Sequence, residues 1–282
     1  MIGKTKPLTV ASSILAVILF SPTSTTHAQE KILLQYKFDK GESLQYRSES
    51  YDSTTTGSGD QVTTTKMIRG SLQTLSVLDA SAKNTYKVSI KIDSTWTDQD
   101  SQSPTVSSED RSRMFRRRGP GGPGGRRREE EVEITTHGES VSKDPVASPL
   151  LLPLPKDPVS VNDAWEFEKN IENKGRMKGT THVHGQCLLY DIQKEGDKTR
   201  ALIIVNTEST GEDQFTFKRQ DTEISGSTQR KGATTSLVYF DVDRGRITEI
   251  VTEETRDSAT ESTTFSSTVS TKTKATVKLI SE

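Results

Sequence analysis

His182-Val183-His184 and Cys187 are the residues best suited to metal chemistry in this chain of 282 residues. Two histidines at i and i+2 share one face of a β-strand and can both reach a zinc or copper ion. Cys187 has the opposite parity and points away from them unless Gly185 makes a bulge. A further ligand, such as a carboxylate, must come from another strand, and nothing in the linear order identifies it. The plainer expectation is two exposed strand histidines and a small buried thiol.

A second group is cationic. Arg111, Arg113, Arg116, Arg117, Arg118, Arg126, Arg127 and Arg128 surround a stretch of glycine and proline from Gly119 to Gly125. Glu109, Asp110, Glu129, Glu130, Glu131 and Glu133 lie close by in sequence, so residues 109–133 net 8 − 6 = +2. Glycine and proline at this density hold no regular structure, which predicts a disordered loop inserted between strands at about 99–130. Nucleic-acid arms of this composition interleave aromatic residues for stacking, and here Phe115 stands alone. The candidate anion-binding residues are Arg113, Arg116, Arg117, Arg118, Arg126, Arg127 and Arg128. Their partners would be envelope polyanions such as lipopolysaccharide phosphates, teichoic acid or acidic polysaccharide, and the neighbouring glutamates can also fold back on them.

Other patterns resolve to turns or to chance. Ser140-Val141-Ser142-Lys143 matches S-x-x-K, but that chemistry needs the serine at a helix start and partner motifs downstream, whereas this one follows a hairpin. Asp241-Val242-Asp243-Arg244-Gly245 begins like a calcium loop but lacks the remaining oxygen ligands and the terminal glutamate, so it reads as a hairpin turn. There is no G-x-S-x-G elbow, phosphate-binding loop or paired-cysteine site. These observations point away from an enzyme and call for no cofactor.

The elements that carry these residues alternate with period two. Ile32, Leu34, Tyr36 and Phe38 fall on one face, as do Tyr86, Val88, Ile90 and Ile92. Val269, Thr271, Thr273, Ala275, Val277 and Leu279 share another face, with Lys272, Lys274 and Lys278 opposite. Thr235–Val242 and Arg246–Val251 frame a hairpin. Trp96 and Trp165 read as sheet-packing residues, either of which can line a cleft. No window sustains a helical period, so the expected class is all-β and antiparallel. With 30% hydrophobic residues and a mean hydropathy of −0.66, a thin core in a curved sheet suits the chain better than a thick globule.

The pattern is given twice in the same order. Gly41-Glu-Ser-Leu-Gln-Tyr46 parallels Asn162-Asp-Ala-Trp-Glu-Phe167. The strands after Gly70 parallel those after His184, and the turn at Gly138 parallels that at Gly245. Two similar β-units, 29–144 and 160–282, are expected to form a curved sheet or half-barrel. Residues 145–159 join them. Five prolines there, among Leu150, Leu151, Leu152 and Leu154, predict an extended strap whose leucines pack on a sheet face.

The turn of the GESLQY kind, and the strap ending Leu154-Pro-Lys-Asp-Pro-Val-Ser-Val-Asn-Asp-Ala-Trp165, resemble uncharacterised secreted bacterial proteins of the domain-of-unknown-function type, in which an LP-x-x-PV-x-VGD-x-W stretch opens the second half. Asn162 replaces the usual glycine, and asparagine also tolerates a positive φ. The resemblance implies a β-rich envelope protein and brings no catalytic residues. A more distant analogy, on inferred fold alone, is to the open half-barrels that carry lipids or lipoproteins across the periplasm.

Residues 1–28 predict where the chain goes. Lys4 and Lys6 precede an apolar run from Leu8 to Phe20, and Thr26-His27-Ala28 offers small residues for cleavage after Ala28, as in a signal peptide. The run is too short for a membrane span. No later stretch is long and apolar enough for one. Without Lys4 and Lys6 the charge is 36 − 39 = −3, with no basic excess that calls for nucleic acid. The one cysteine forms no internal disulfide. The expectation is a non-enzymatic protein of the periplasm or cell exterior that binds a hydrophobic ligand or a partner chain on a sheet face. The alternative is an adhesive or assembly component binding anionic polysaccharide or lipid headgroups through the arginine-rich loop.

Overall fold

The computed structural model describes residues 30–59, 61–81, 84–100, 129–141, 148–174, 177–219 and 222–282. The segment 1–28, expected to be a leader, and all the candidate arginines lie outside them.

The described chain is all-β, as expected, with no helix among the described residues, and it curls into a half-barrel. Ten strands build one sheet: β1 (Ser43–Ser58), β2 (Gln61–Ser81), β3 (Thr85–Asp100), β4 (Glu129–Thr135), β5 (Ala164–Lys174), β6 (Met177–Glu195), β7 (Lys198–Arg219), β8 (Thr222–Asp241), β9 (Arg246–Ser262) and β10 (Ser266–Ser281). Their order across the sheet is β4-β3-β2-β1-β10-β9-β8-β7-β6-β5, with every pair antiparallel. Two meanders thus stand back to back and share the β1–β10 ladder, which leaves β4 and β5 as the edges.

The strands run longer than the apolar alternation announced. β7 has 22 residues, about 70 Å at the rise of an extended chain. One end of the sheet carries the core. There the inner face presents Leu44 and Tyr46 from β1, Leu75 and Val77 from β2, Ile203 and Val205 from β7, and Val238 and Phe240 from β8, all buried. Toward the other end the same face turns polar. Thr54 and Thr271 hydroxyls meet at 3.1 Å, Thr228 and Thr260 at 3.0 Å, and Ser236 and Thr252 at 2.9 Å. Asp52, buried on this face, pairs with Arg69 at 3.2 Å and accepts from the Thr273 hydroxyl. Cross-strand pairs of this kind stabilise a sheet where apolar burial is missing. The alternation assigned to β10 holds, with Val277 buried and Lys274 and Lys278 outside, paired to Glu253 and Glu249.

Two segments outside the ladders close the apolar end. Ile32, Leu34, Tyr36 and Phe38 are all buried while Lys31, Leu33 and Lys37 are exposed, so the alternation predicted for burial is right. The segment is nevertheless not a sheet strand. Its backbone bonds go to scattered partners: Ile32 exchanges a pair with Val159, Tyr36 N–H donates to Thr136 and Lys37 N–H to Gly245. Leu150, Leu151, Leu152 and Leu154 of the strap are buried against it, which meets the expectation that the strap packs.

The turns at Gly41 and Asn162 share one construction. Their φ values are 84° and 73°. Gly41 N–H donates to Val77 and Asn162 N–H to Leu189; Val77 N–H donates back to Glu42 and Leu189 N–H to Asp163. A register shift follows each, after Val77 in β2 and after Leu189 in β6. The hairpin at Gly245 forms as expected. Asp241 there accepts from Arg244 N–H, and Asp243 accepts from Thr199 N–H, so both carboxylates cap backbone.

Of the loop expected at 99–130, residues 101–128 lie outside the described ones, and its two ends differ from the expectation in being strand: β3 reaches Asp100 and β4 starts at Glu129. The acids assigned to the loop's end explain the difference. Glu131 pairs with Lys87 at 2.7 Å and Glu129 accepts from the Ser89 hydroxyl, so these two glutamates hold β4 onto β3.

Candidate binding cleft

The two sheet edges are treated differently. After β4 the chain turns at Gly138 and runs back along that strand: Thr135 N–H donates to Glu139, Val141 N–H donates to Glu133, and Ile134 bridges Ser140. β5 pairs with β6 on one side, and among the described residues no strand pairs with its other side. The strap passes nearby, but Pro153, Pro155 and Pro158 lack the N–H that a ladder needs. The strap therefore stays apart from β5 and leaves a cleft of about 820 Å³.

Strap residues Pro153–Asp157 form one wall, the turn at Gly138–Ser140 another, and β5 from Ala164 to Asn170 the third. Alternation turns Trp165, Phe167 and Lys169 toward the concave side, cross-strand from Cys187, Gly185 and Val183. Trp165 is fixed by its indole N–H, which donates to Pro153 C=O at 2.9 Å. The Phe167 ring covers Gly185, where a Cβ would collide with it. The Lys169 ammonium sits 5.4 Å from the Phe167 ring centre, and burial of its surroundings holds its pKa below the usual lysine range. An apolar floor with a few polar groups around it is the usual form of a small-molecule or peptide site.

Cys187 lies behind this floor, fully buried. Burial pushes its thiol from 9.0 up to about 12, against a smaller opposing pull from Lys169. The thiolate that a nucleophile or metal ligand needs is absent at neutral pH. Because the folded pKa is raised, the stability this group contributes is intact below pH 9.0 and is lost as pH rises toward about 12. A thiol reagent applied at pH 8 is expected to label Cys187 about a thousandfold more slowly than free cysteine, at a rate that follows global unfolding. Rapid labelling of folded protein would refute that burial.

His182 and His184 share one face, as predicted, and it is the convex face opposite Cys187; no register shift interrupts β6 at Gly185. His182 Nδ1 stands 2.5 Å from Asn170 Oδ1, and His184 Nδ1 is 3.9 Å from Glu168 Oε1. Glu208 of β7 lies directly across from His184 on its other side. The carboxylate neighbours that the sequence did not identify are thus Glu168 and Glu208, supplied by register. Among the described residues, no three of His, Cys, Asp or Glu stand close enough together to hold a metal ion. Trp96 packs on the convex face over Gly70, with the Arg47 guanidinium 5.4 Å from its ring centre, away from the cleft. Ser142 and Lys143 lie outside the described residues. Lys169 escaped the sequence reading, and Phe167 entered it only as part of the repeated turn, because an ordinary lysine–phenylalanine alternation on a strand carries no binding motif.

No family model matches the chain and no curated protein is similar to it. Solved structures similar in backbone include Pseudomonas aeruginosa OccK2 (OpdF), at 6% identity and a TM-score of 0.27, covering 85% of this chain and 98% of that one. Pseudomonas aeruginosa OccK8 (OprE) follows at 7% identity and 0.25, covering 86% and 100%. Pseudomonas aeruginosa OpdK, solved with vanillate, is at 7% and 0.21, covering 83% and 98%. At such scores the likeness assigns this chain no function.

Proposed function

We propose that this chain is a non-catalytic bacterial envelope protein, exported by its N-terminal leader and akin to the secreted family its strap resembles, that binds an apolar ligand or a partner chain at the cleft beside β5. The aromatic floor of Trp165 and Phe167, on a strand whose outer side pairs with no other strand among the described residues, carries this reading. The concave face as a whole is a poorer seat. Its apolar end is filled by Leu34, Tyr36, Phe38 and the strap leucines, and the remainder is lined by hydroxyls and ion pairs. A ligand that seeks apolar contact meets it at the margin, where the strap and β5 diverge.

The test uses the neutral fluorescent probe N-phenylnaphthylamine in a Trp96→Phe background, which leaves Trp165 as the chain's tryptophan. Saturable probe binding with energy transfer from Trp165 is expected. Gly185→Val, which drives the Phe167 ring into the cleft, should weaken binding about tenfold while the far-ultraviolet spectrum stays that of a sheet. Unchanged affinity in both Gly185→Val and Trp165→Ala would place the probe elsewhere and refute this seat.

A further inference from the structure

We propose that the natural occupant of the cleft is an extended segment of a partner polypeptide, alternating basic and apolar residues, which adds to β5 as a further antiparallel or parallel strand. The inference rests on the cleft being a binding site and names what it binds.

Three observations carry it. The first is the edge itself: β5 pairs regularly with β6, among the described residues no strand pairs with its outer side, and the outward N–H and C=O groups of an edge strand form a template for another strand. The strap's prolines cannot fill that role, whereas the chain's return at 139–141 occupies the corresponding edge of β4. The second is the alternation of β5. Its concave side offers Trp165 and Phe167 to every second side chain of an incoming strand, in the space of the cleft. The third is charge. The convex side of β5 presents Glu166 and Glu168, both exposed, with the Glu168 side chain at 84%. A strand laid beside β5 places its own convex-side residues directly opposite these carboxylates, where lysine or arginine stabilises the pair and glutamate opposes it. The same rule disfavours a second copy of this chain, since β5 against β5 sets this acidic face against itself.

The experiment uses the full chain and a fluorescein-labelled synthetic peptide, Lys-Val-Lys-Phe-Arg-Val-Lys-Val-Lys. Two further peptides carry N-methyl groups on alternate amides, one in each phase, and a fourth replaces every basic residue by glutamate. Only one phase of amides faces β5 in an added strand. Methylation of that phase should weaken anisotropy-detected binding about tenfold or more, and methylation of the other should leave it within about threefold. The glutamate peptide should bind about tenfold more weakly than the basic one, and Glu166→Lys combined with Glu168→Lys should reverse that preference. Equal binding of the two methylated peptides, or a preference that does not reverse, overturns strand addition. So does a dimer seen by light scattering that excludes the peptide. N-phenylnaphthylamine separates the two levels. Probe binding without peptide binding removes the strand-addition inference alone, and failure of both removes the binding cleft as well.

Discussion

Replacing Tyr36 by phenylalanine is expected to lower the unfolding free energy by about 3 kcal/mol, from the unsatisfied polar groups it leaves buried. The Tyr36 hydroxyl accepts from Leu152 N–H at 2.8 Å and donates to Leu152 C=O at 3.2 Å. One side-chain oxygen therefore satisfies both backbone groups of a strap residue that belongs to no sheet ladder. The ring itself is 1% exposed, stacked on Phe38 and edge-on to Phe240, and burial holds its hydroxyl far above the usual phenol range, so it stays a donor. Phenylalanine keeps the packing and loses both bonds, with no water to replace them. Tyr86→Phe is the internal comparison. That hydroxyl makes one bond, to Tyr36 C=O, from a half-buried position, and its loss should cost about 1 kcal/mol. Equilibrium urea unfolding measures both. Amide exchange at Leu152 should quicken in Tyr36→Phe before the sheet as a whole loosens. A cost below that of Tyr86→Phe would mean that the strap is held by its leucines alone.

Arg246→Met should cost about 3 kcal/mol or more, the range for removing one partner of a buried ion pair. Arg246 and Glu42 meet at 2.6 Å with side chains 10% and 16% exposed. The pair ties the turn that opens β1 to the hairpin that opens β9, beside the Tyr46 hydroxyl, which donates to Ile247 C=O. Methionine of similar length fills the space but leaves Glu42 charged and without its cation. Adding Glu42→Gln to Arg246→Met should recover part of the loss, because the penalty lies in the abandoned carboxylate more than in the missing attraction. A double variant as unstable as the sum of the two singles would show that the two side chains act independently, and the ion pair would not be what closes this end of the sheet.

Much of the fold is written in the alternation of single residues. Leu44 and Tyr46, Val88 and Ile90, and Val277 are all inward-facing and buried because strand geometry alternates side chains whatever the partner. The turn at Asn162 is equally legible, since few side chains tolerate its φ of 73°. The long polar ends of the strands were less so. Ser53 to Ser58 and Thr222 to Gly232 lack apolar alternation, and they extend as strands because neighbours bond them side by side, through pairs such as Thr54 with Thr271. The segment at 32–38 shows the reverse: its alternation is that of a strand, and its buried side chains follow it, yet its backbone joins no ladder.

The candidate site divides along the same line. The sequence alone determined that His182 and His184 share a face and that the strap's leucines must be covered, because each of these follows from local periodicity or from the absence of a proline N–H; that Cys187 opposes the histidines needed the unbroken register at Gly185 as well. The tertiary structure alone decided that Glu168 and Glu208 flank His184, that Phe167 rests on Gly185, and that the strap and β5 part to leave a cleft. Those facts depend on strand order and register, which are set by contacts between residues far apart in the chain, such as Tyr46 with Ile247 at a separation of 201 residues. Alternation tells each side chain which way to face, but the neighbours it meets are chosen by how the whole sheet closes.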